Sequence, residues 1–474
     1  MLDARCCLLT GLAGLNPNAW RREGGMEYAQ LLQGSRPLGE PDGVETATEL
    51  DRARVVQCAP VRRLQQKTQV FPLDVKASVR SRLTHSLEVQ QVARQLSLAL
   101  LARAPHLAPW HQSWLNLLEM AALLHDVGNP PFGHFGEAVI RRWLAEHLPR
   151  LFERALGVPP SHLWQQRLLP DLLAFDGNAQ SIRLVYQLQQ LDVTWSLLAT
   201  LIKVPYAVDE APVPGRLPGF FISEAAMMGR LRQTLGLAPG VRMPLVYLLE
   251  VADDVCYCIA DLQDAVDRGL LALTALQQAV GGLSLPWADA LLQQAMDPEG
   301  EFFTLFRARL TATLVDGVTS AWLQHEAALL AGTFQGSLLA AIDGEIGRSA
   351  LAVLDCLRQL ARQQVFRSRE VEALELAGYA AIQGVLHGYA GLLALPATAF
   401  AALFEGHGDP LMQRLARRLS RRHIAAWRQA CAAVPVGVEA AEWEWYARVR
   451  LLIDYVSGMT DTYVQAEYRL LRGD

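Results

Sequence analysis

A chain of 474 residues that is 51% hydrophobic and only 19% charged has ample apolar surface for a large core and too little charge for extensive disorder. Its net charge of −5 argues against a protein that coats polyanions with its whole surface, while leaving room for local basic patches. The seven cysteines are odd in number, scattered and without C-x-x-C spacing, which argues against a disulfide framework and for reduced thiols.

In chain order, the start from Cys6 to Leu15 has the apolar character of a secretory segment. Asp3 precedes it, Arg5 is its one base and no A-x-A site follows, so it is not read as a leader. No uncharged apolar run reaches about 18 residues, and a cytoplasmic protein is expected. Residues 1–45 are expected to be peripheral. From Thr46 onward an all-α fold is predicted. Segments such as His85–Ala104, Trp114–Leu124, Leu245–Val266 and Ser349–Gln363 are rich in helix formers with apolar spacings of 3 and 4. Breaks fall at Pro105–Pro109, Pro130-Pro131, Pro159-Pro160, Pro205–Pro218, Pro286 and Pro396, and the proline-rich loop from Val204 to Gly219 is expected to border a pocket. Length alone suggests roughly three units of about 150 residues. With no repeat and no low-complexity linker, the simpler reading is a core over 46–275 and a helical region over 276–474 that completes a pocket and carries oligomer contacts.

The most informative stretch runs from Leu124 to Glu137. An apolar helix ends in His125-Asp126, Gly128 and Pro130-Pro131 break it, and His134 and Glu137 follow at i, i+3 on one face. Upstream, Arg82-Leu83-Thr84-His85-Ser86 opens a helix with another imidazole. Downstream, the apolar segment from Leu248 to Asp261 is studded with carboxylates, and Asp253, Tyr257 and Asp261 form one stripe at i, i+4, i+8. A carboxylate on a buried helix is costly without a cation or donors. The candidate metal set is therefore His85, His125, Asp126 and Asp253. Spacing alone leaves Asp254 as a rival to Asp253. Two nitrogens and two oxygens without a thiolate favour Mg²⁺, Mn²⁺, Co²⁺ or Fe²⁺ over structural zinc. Taken singly, His85 reads as an ordinary core or surface histidine and His125-Asp126 as a capping pair; their joint occurrence with His134 and Glu137 is what points to chemistry. The remaining histidines, among them His147, His387 and His423, are read as structural or solvated.

The order His85, His125-Asp126, Asp253 resembles the HD superfamily of metal-dependent phosphohydrolases. The surrounding segments are similar to the long-form bacterial dGTP triphosphohydrolases: Val61–Leu73, Arg82–Ser86, His125–Glu137, Phe175–Gln180, Ala252–Asp264 and Asp454–Asp461. The resemblance implies an HD-type helical fold with added C-terminal helices, a divalent ion, and hydrolysis of dGTP to deoxyguanosine and tripolyphosphate. It assigns His134 as the catalytic histidine oriented by Glu137, and Arg82 and Lys203 as phosphate clamps. Gln69 and Asp261 would bind the 3′-hydroxyl, and Tyr257 would pack on C2′. Phe366 would stack on the base, with Glu375 accepting from guanine N1 and N2 and Val70 nearby. It also implies a homo-oligomer, commonly a hexamer. Three positions depart from the pattern: Val204 where Tyr is usual, Asp176 where Glu is usual, and Cys58-Ala59-Pro60 where a small polar residue is commoner. A broader deoxynucleotidase, a signalling-nucleotide phosphodiesterase and a catalytically idle HD binding protein are the competing readings. Finally, Arg414, Arg417, Arg418 and Arg421 are expected to share one helix face, either solvated, paired in subunit salt bridges, or lining a groove for single-stranded DNA or an effector nucleotide.

Overall fold

Ser81 caps the helix Arg82–Arg103: its hydroxyl accepts from Thr84 N, and Ser81 N donates to Thr84 Oγ1 at 3.0 Å. The helix thus opens within the Arg82–Ser86 segment, as expected, and carries Arg82 and His85 in its first turn. In this computed structural model, which describes residues 27–71, 79–211, 215–296 and 302–473, every element among the described residues is helical apart from a lone Thr68–Ser81 bridge. The apolar start at Cys6–Leu15, residues 72–78 and two prolines of the 204–219 loop lie outside the described residues. The helix His111–Leu124 is buried at every position from Ser113 on, as its unbroken apolar character requires. It packs against Val44–Gln57, Arg82–Arg103, Trp195–Leu201 and Leu245–Asp267. The segment expected over 349–363 is a helix over Glu345–Leu360 that ends in a wider π turn, Ala361–Val365.

Two apolar cores result. The first joins helices 82–103, 111–124, 245–267, Phe302–Leu330 and 345–360. The second joins Gly133–Leu156, Arg369–Leu393 and Ala440–Ser457. Val127 belongs to the first and Phe132 to the second, so the His-Asp motif bridges the two. The cores interleave along the chain, and the expected boundary near 275 does not coincide with the division between them. Buried ion pairs stitch elements distant in sequence: Arg183 donates to both Asp454 oxygens at 2.8 and 2.7 Å and to Glu224 at 2.9 Å. No single helix among the described residues is long and apolar enough to cross a membrane. The five described cysteines Cys58, Cys256, Cys258, Cys356 and Cys431 are all unbridged.

Two expectations are corrected. Residues 27–36 are not peripheral: Tyr28, Leu31 and Leu32 are buried in the first core, and Arg36 pairs with the buried Asp51 at 3.4 Å. The arginine run is not one helix. It breaks at Leu419, where Ser420 caps a new helix, Arg421–Ala432, so Arg421 leaves the face of Pro410–Arg418. Arg418 is spent on the buried Glu467, its Nε donating at 2.6 Å.

Candidate metal and nucleotide site

His125 leaves the end of the 111–124 helix with its Nδ1 hydrogen donated to the Ala122 carbonyl at 2.7 Å. A carbonyl only accepts, so this bond fixes the tautomer and leaves Nε2 bare. That buried nitrogen has no hydrogen-bond partner and stands 3.5 Å from an oxygen of each of Asp126 and Asp253. His85 Nε2 is 3.3 Å from the same Asp253 oxygen. His85, His125 and Asp253 offer ligand atoms that lie within 4.8 Å of one another. A nitrogen lone pair aimed at carboxylate oxygens is repulsive without a cation between them, so the donors suit a divalent ion.

Asp126 stands beside this trio. Its Oδ2 takes Arg82 Nη1 at 2.5 Å and its Oδ1 takes Asn129 Nδ2 at 2.6 Å. Asp254, the rival to Asp253, points away and pairs with Arg358 at 3.0 Å. Lys203 Nζ donates to Asp253 Oδ2 at 2.9 Å. Burial opposes charge on these groups, yet their mutual attraction prevails. Asp253 lies well below the usual carboxylate range because of Lys203 and His125, and His125 is raised by Asp126 and Asp253.

A cavity of about 550 Å³ opens over the trio. It is lined by Gln69, Val70, Arg82, His85, Asp126, His134, Asp253, Tyr257, Asp261, Phe366 and Glu375 among others, so nearly every candidate converges there. Lys203, His125 and Glu137 support it from behind. The described part of the 204–219 loop does not line this cavity; Gly219 N closes the loop onto Tyr206 O at 3.0 Å. Within the cavity, Gln69 Oε1 and Asp261 Oδ1 are buried without partners, as is Arg82 Nε. Burial, then repulsion from Asp264, pushes Asp261 well above the usual carboxylate range.

The turn 130–133 aims the second pair. Phe132 and Gly133 both adopt left-handed backbone, φ 60° and 55°. The left-handed φ at 133 favours glycine, and a Cβ there would also meet Arg82 Nη2 at 2.4 Å and displace the guanidinium. His134 then projects into the open end of the cavity, its side chain 84% exposed, with Nδ1 3.3 Å from Glu137 Oε2. Glu137 is buried and held by Gly177 N at 3.0 Å. Its hydrogen bond raises His134 above the usual imidazole range.

Sequence reasoning missed the platform beneath the site. Asp461 accepts from Thr68 N at 2.8 Å and from Phe132 N at 3.0 Å, fixing the segments that carry Gln69 and His134. Lys67 is buried, donates to Ser457 O at 2.9 Å and to Asn129 O, and is pushed by burial down to about 7. Arg362, one turn before Phe366, also lines the cavity and carried no signal in the sequence. Of the departures, Asp176 is explained: it caps the helix Gly177–Arg183, accepting from Asn178 N at 2.8 Å.

An HD domain matches residues 82–154, the stretch that supplies His85, His125, Asp126, His134 and Glu137. A probable deoxyguanosinetriphosphate triphosphohydrolase of Pseudomonas aeruginosa is 41% identical, over 89% of this chain and 92% of its own length. The chain belongs to the deoxyguanosinetriphosphate triphosphohydrolase family. Members from Yersinia enterocolitica and Yersinia pseudotuberculosis are 35% and 34% identical, each over 94% of this chain and 99% of their own length. As a dGTP triphosphohydrolase of the HD superfamily, the chain has the all-α fold expected of it, and the HD domain implies a divalent metal ion.

Proposed function

We propose that this chain hydrolyses dGTP to deoxyguanosine and inorganic tripolyphosphate. Water attacks the α-phosphorus, the bond to O5′ breaks, and O5′ leaves with a proton as the nucleoside hydroxyl. The observation that carries the reading is the placement of Gln69 Oε1 and Asp261 Oδ1, buried and partnerless, in the same cavity as the His85/His125/Asp253 trio. Buried polar atoms without partners are costly unless a ligand satisfies them, and a 3′-hydroxyl can both donate and accept. Tyr257, one turn from each of Asp253 and Asp261, would pack on C2′ where a ribonucleotide carries a hydroxyl.

His85, His125, Asp126 and Asp253 would hold a divalent ion, Mg²⁺ or Mn²⁺ with Co²⁺ as a further choice; such an ion polarises phosphorus and lowers the pKa of a water. Arg82 would turn its free Nε toward phosphate oxygens, and Lys203 would add a point charge at the same corner. His134, held by Glu137, would move the proton at the α-phosphate or at O5′. Phe366 would stack on guanine, Glu375 would accept from N1 and N2, and Val70 would pack beside the ring; adenine offers no such pair of donors. A panel of the four dNTPs and four NTPs with Mn²⁺ or Mg²⁺ tests the reading. Tripolyphosphate and nucleoside from dGTP, with GTP refused, are expected; release of orthophosphate or pyrophosphate instead would overturn it. Equal rates on all dNTPs would favour the broader deoxynucleotidase.

The same proposal includes a cytoplasmic homo-oligomer, of hexameric type, with single-stranded DNA or an effector nucleotide at the arginine-rich surface. In support, Arg414 and Arg417 stay exposed and spend hydrogen bonds on Pro410 O and Gln413 rather than on carboxylates. Phosphate contacts weaken steeply with salt. An Arg417→Glu/Arg421→Glu variant whose DNA binding and rate match wild type at two salt concentrations would remove the DNA part of the proposal.

A further inference from the structure

Two histidines read from sequence as structural or solvated face each other in a way that neutral imidazoles avoid. His147 Nδ1 donates to Trp143 O at 2.8 Å and His387 Nδ1 donates to Gln383 O at 2.8 Å. Both acceptors are carbonyls, so both rings carry hydrogen on Nδ1 and both Nε2 atoms are bare. Those two bare nitrogens lie 3.1 Å apart. The rings are held in place: His147 stacks on the buried Trp143 at 4.7 Å and 9°, and His387 meets His147 at 90°. Two lone pairs opposed at this distance repel unless something positive lies between them.

We propose that His147 and His387 form a site for a borderline divalent transition ion of the Zn²⁺, Ni²⁺ or Cu²⁺ class. With Zn–N bonds of about 2.0–2.1 Å, a nitrogen separation of 3.1 Å corresponds to an N–Zn–N angle of about 100°, between octahedral and tetrahedral values. Imidazole pairs select these ions over Mg²⁺ and Mn²⁺, which prefer oxygen. His387 is exposed and His147 half-buried, so an ion enters from solvent and water completes its shell. The neighbouring Glu146 carboxylate accepts from Arg142 Nε at 2.8 Å, so this pair is close to neutral and adds no net positive charge beside the site.

The placement gives the site a consequence. His147 lies on the 133–156 helix, which carries His134 in its first turn; His387 lies on the 369–393 helix, which carries Glu375. The two helices pack in the same direction: a Cβ at Gly136 would touch Ile382 at 3.3 Å, and His147 meets His387 further along. An ion at the far end would fix their register about 20 Å from His134, given 1.5 Å of rise per residue. It is a clip between the acid/base helix and the base-recognition helix, separate from the catalytic ion.

The test is a Zn²⁺ titration of the full chain stripped by chelator, counting bound ions and recording Tm, for wild type, His387→Ala and His147→Phe; phenylalanine keeps the stack on Trp143. Each is also made in a His125→Ala background, which disables the catalytic site. Wild type is expected to bind one more Zn²⁺ per chain than either variant in both backgrounds. In the His125→Ala background, the chain that keeps both His147 and His387 is expected to gain about 2 °C or more in Tm with Zn²⁺ but not with Mg²⁺. Equal stoichiometry and equal Tm shifts across wild type and both variants would overturn the site and leave a shared proton as the bridge.

Discussion

Replacing His125 with alanine is expected to remove divalent-ion binding and reduce hydrolysis to background while the helical signal survives. The imidazole is the hub of the site: its tautomer is fixed by Ala122 O, and its bare Nε2 faces Asp126 and Asp253 together. Without it, two carboxylates share a corner with one nitrogen fewer and bind the ion weakly. The fold persists because helix 111–124 is anchored by Trp114, Leu117, Leu118 and Met120, all within the first core. Ion binding measured by calorimetry and helicity by circular dichroism separate the two effects. Normal turnover of dGTP by His125→Ala would remove the HD-type assignment. In the same assay Asp253→Asn should lose far more than Asp254→Asn, since Asp254 is paired with Arg358 and 41% exposed.

His134→Ala is expected to keep the ion and bind dGTP while losing turnover by about 10²–10⁴-fold, the usual worth of a positioned acid or base. The imidazole touches none of the trio: its recorded partner is Glu137, and the rest of it is open to the cavity. Loss of ion occupancy in His134→Ala would make it a ligand instead. Glu137→Gln should be milder in rate and diagnostic in pH. Glu137 raises His134, so its removal lowers that pKa. Whichever limb of the kcat/KM profile belongs to His134 must therefore move to lower pH. A limb that stays fixed or moves up would mean Glu137 does not act on this histidine.

How far the site was legible in sequence depended on how local its geometry is. His125, Asp126, His134 and Glu137 sit within a helix end, a Pro-Pro turn and one helical turn, and each of those has a sequence signal. The Asp253/Tyr257/Asp261 stripe followed from helical periodicity, and all three line the cavity. Choosing Asp253 over Asp254 needed the partner across the fold, Arg358, whose position no spacing reports. Lys67 and Asp461 escaped assignment for the same reason: their bonds reach to Ser457, Thr68 and Phe132 across the whole chain. The arginine run misled because basic periodicity was read through Leu419-Ser420, where the serine signals a new helix. Tyr28, Leu31 and Leu32 misled because a short helix with few residues carries little periodic signal, although its side chains fill the core.

Hydrolysis of dGTP in ¹⁸O-labelled water, with both products analysed by mass spectrometry, tests attack at the α-phosphorus most directly. One ¹⁸O in the tripolyphosphate and none in deoxyguanosine is the predicted result, because the bond that breaks is from phosphorus to O5′. Label in the nucleoside, or in released orthophosphate beside a nucleoside diphosphate, would contradict it.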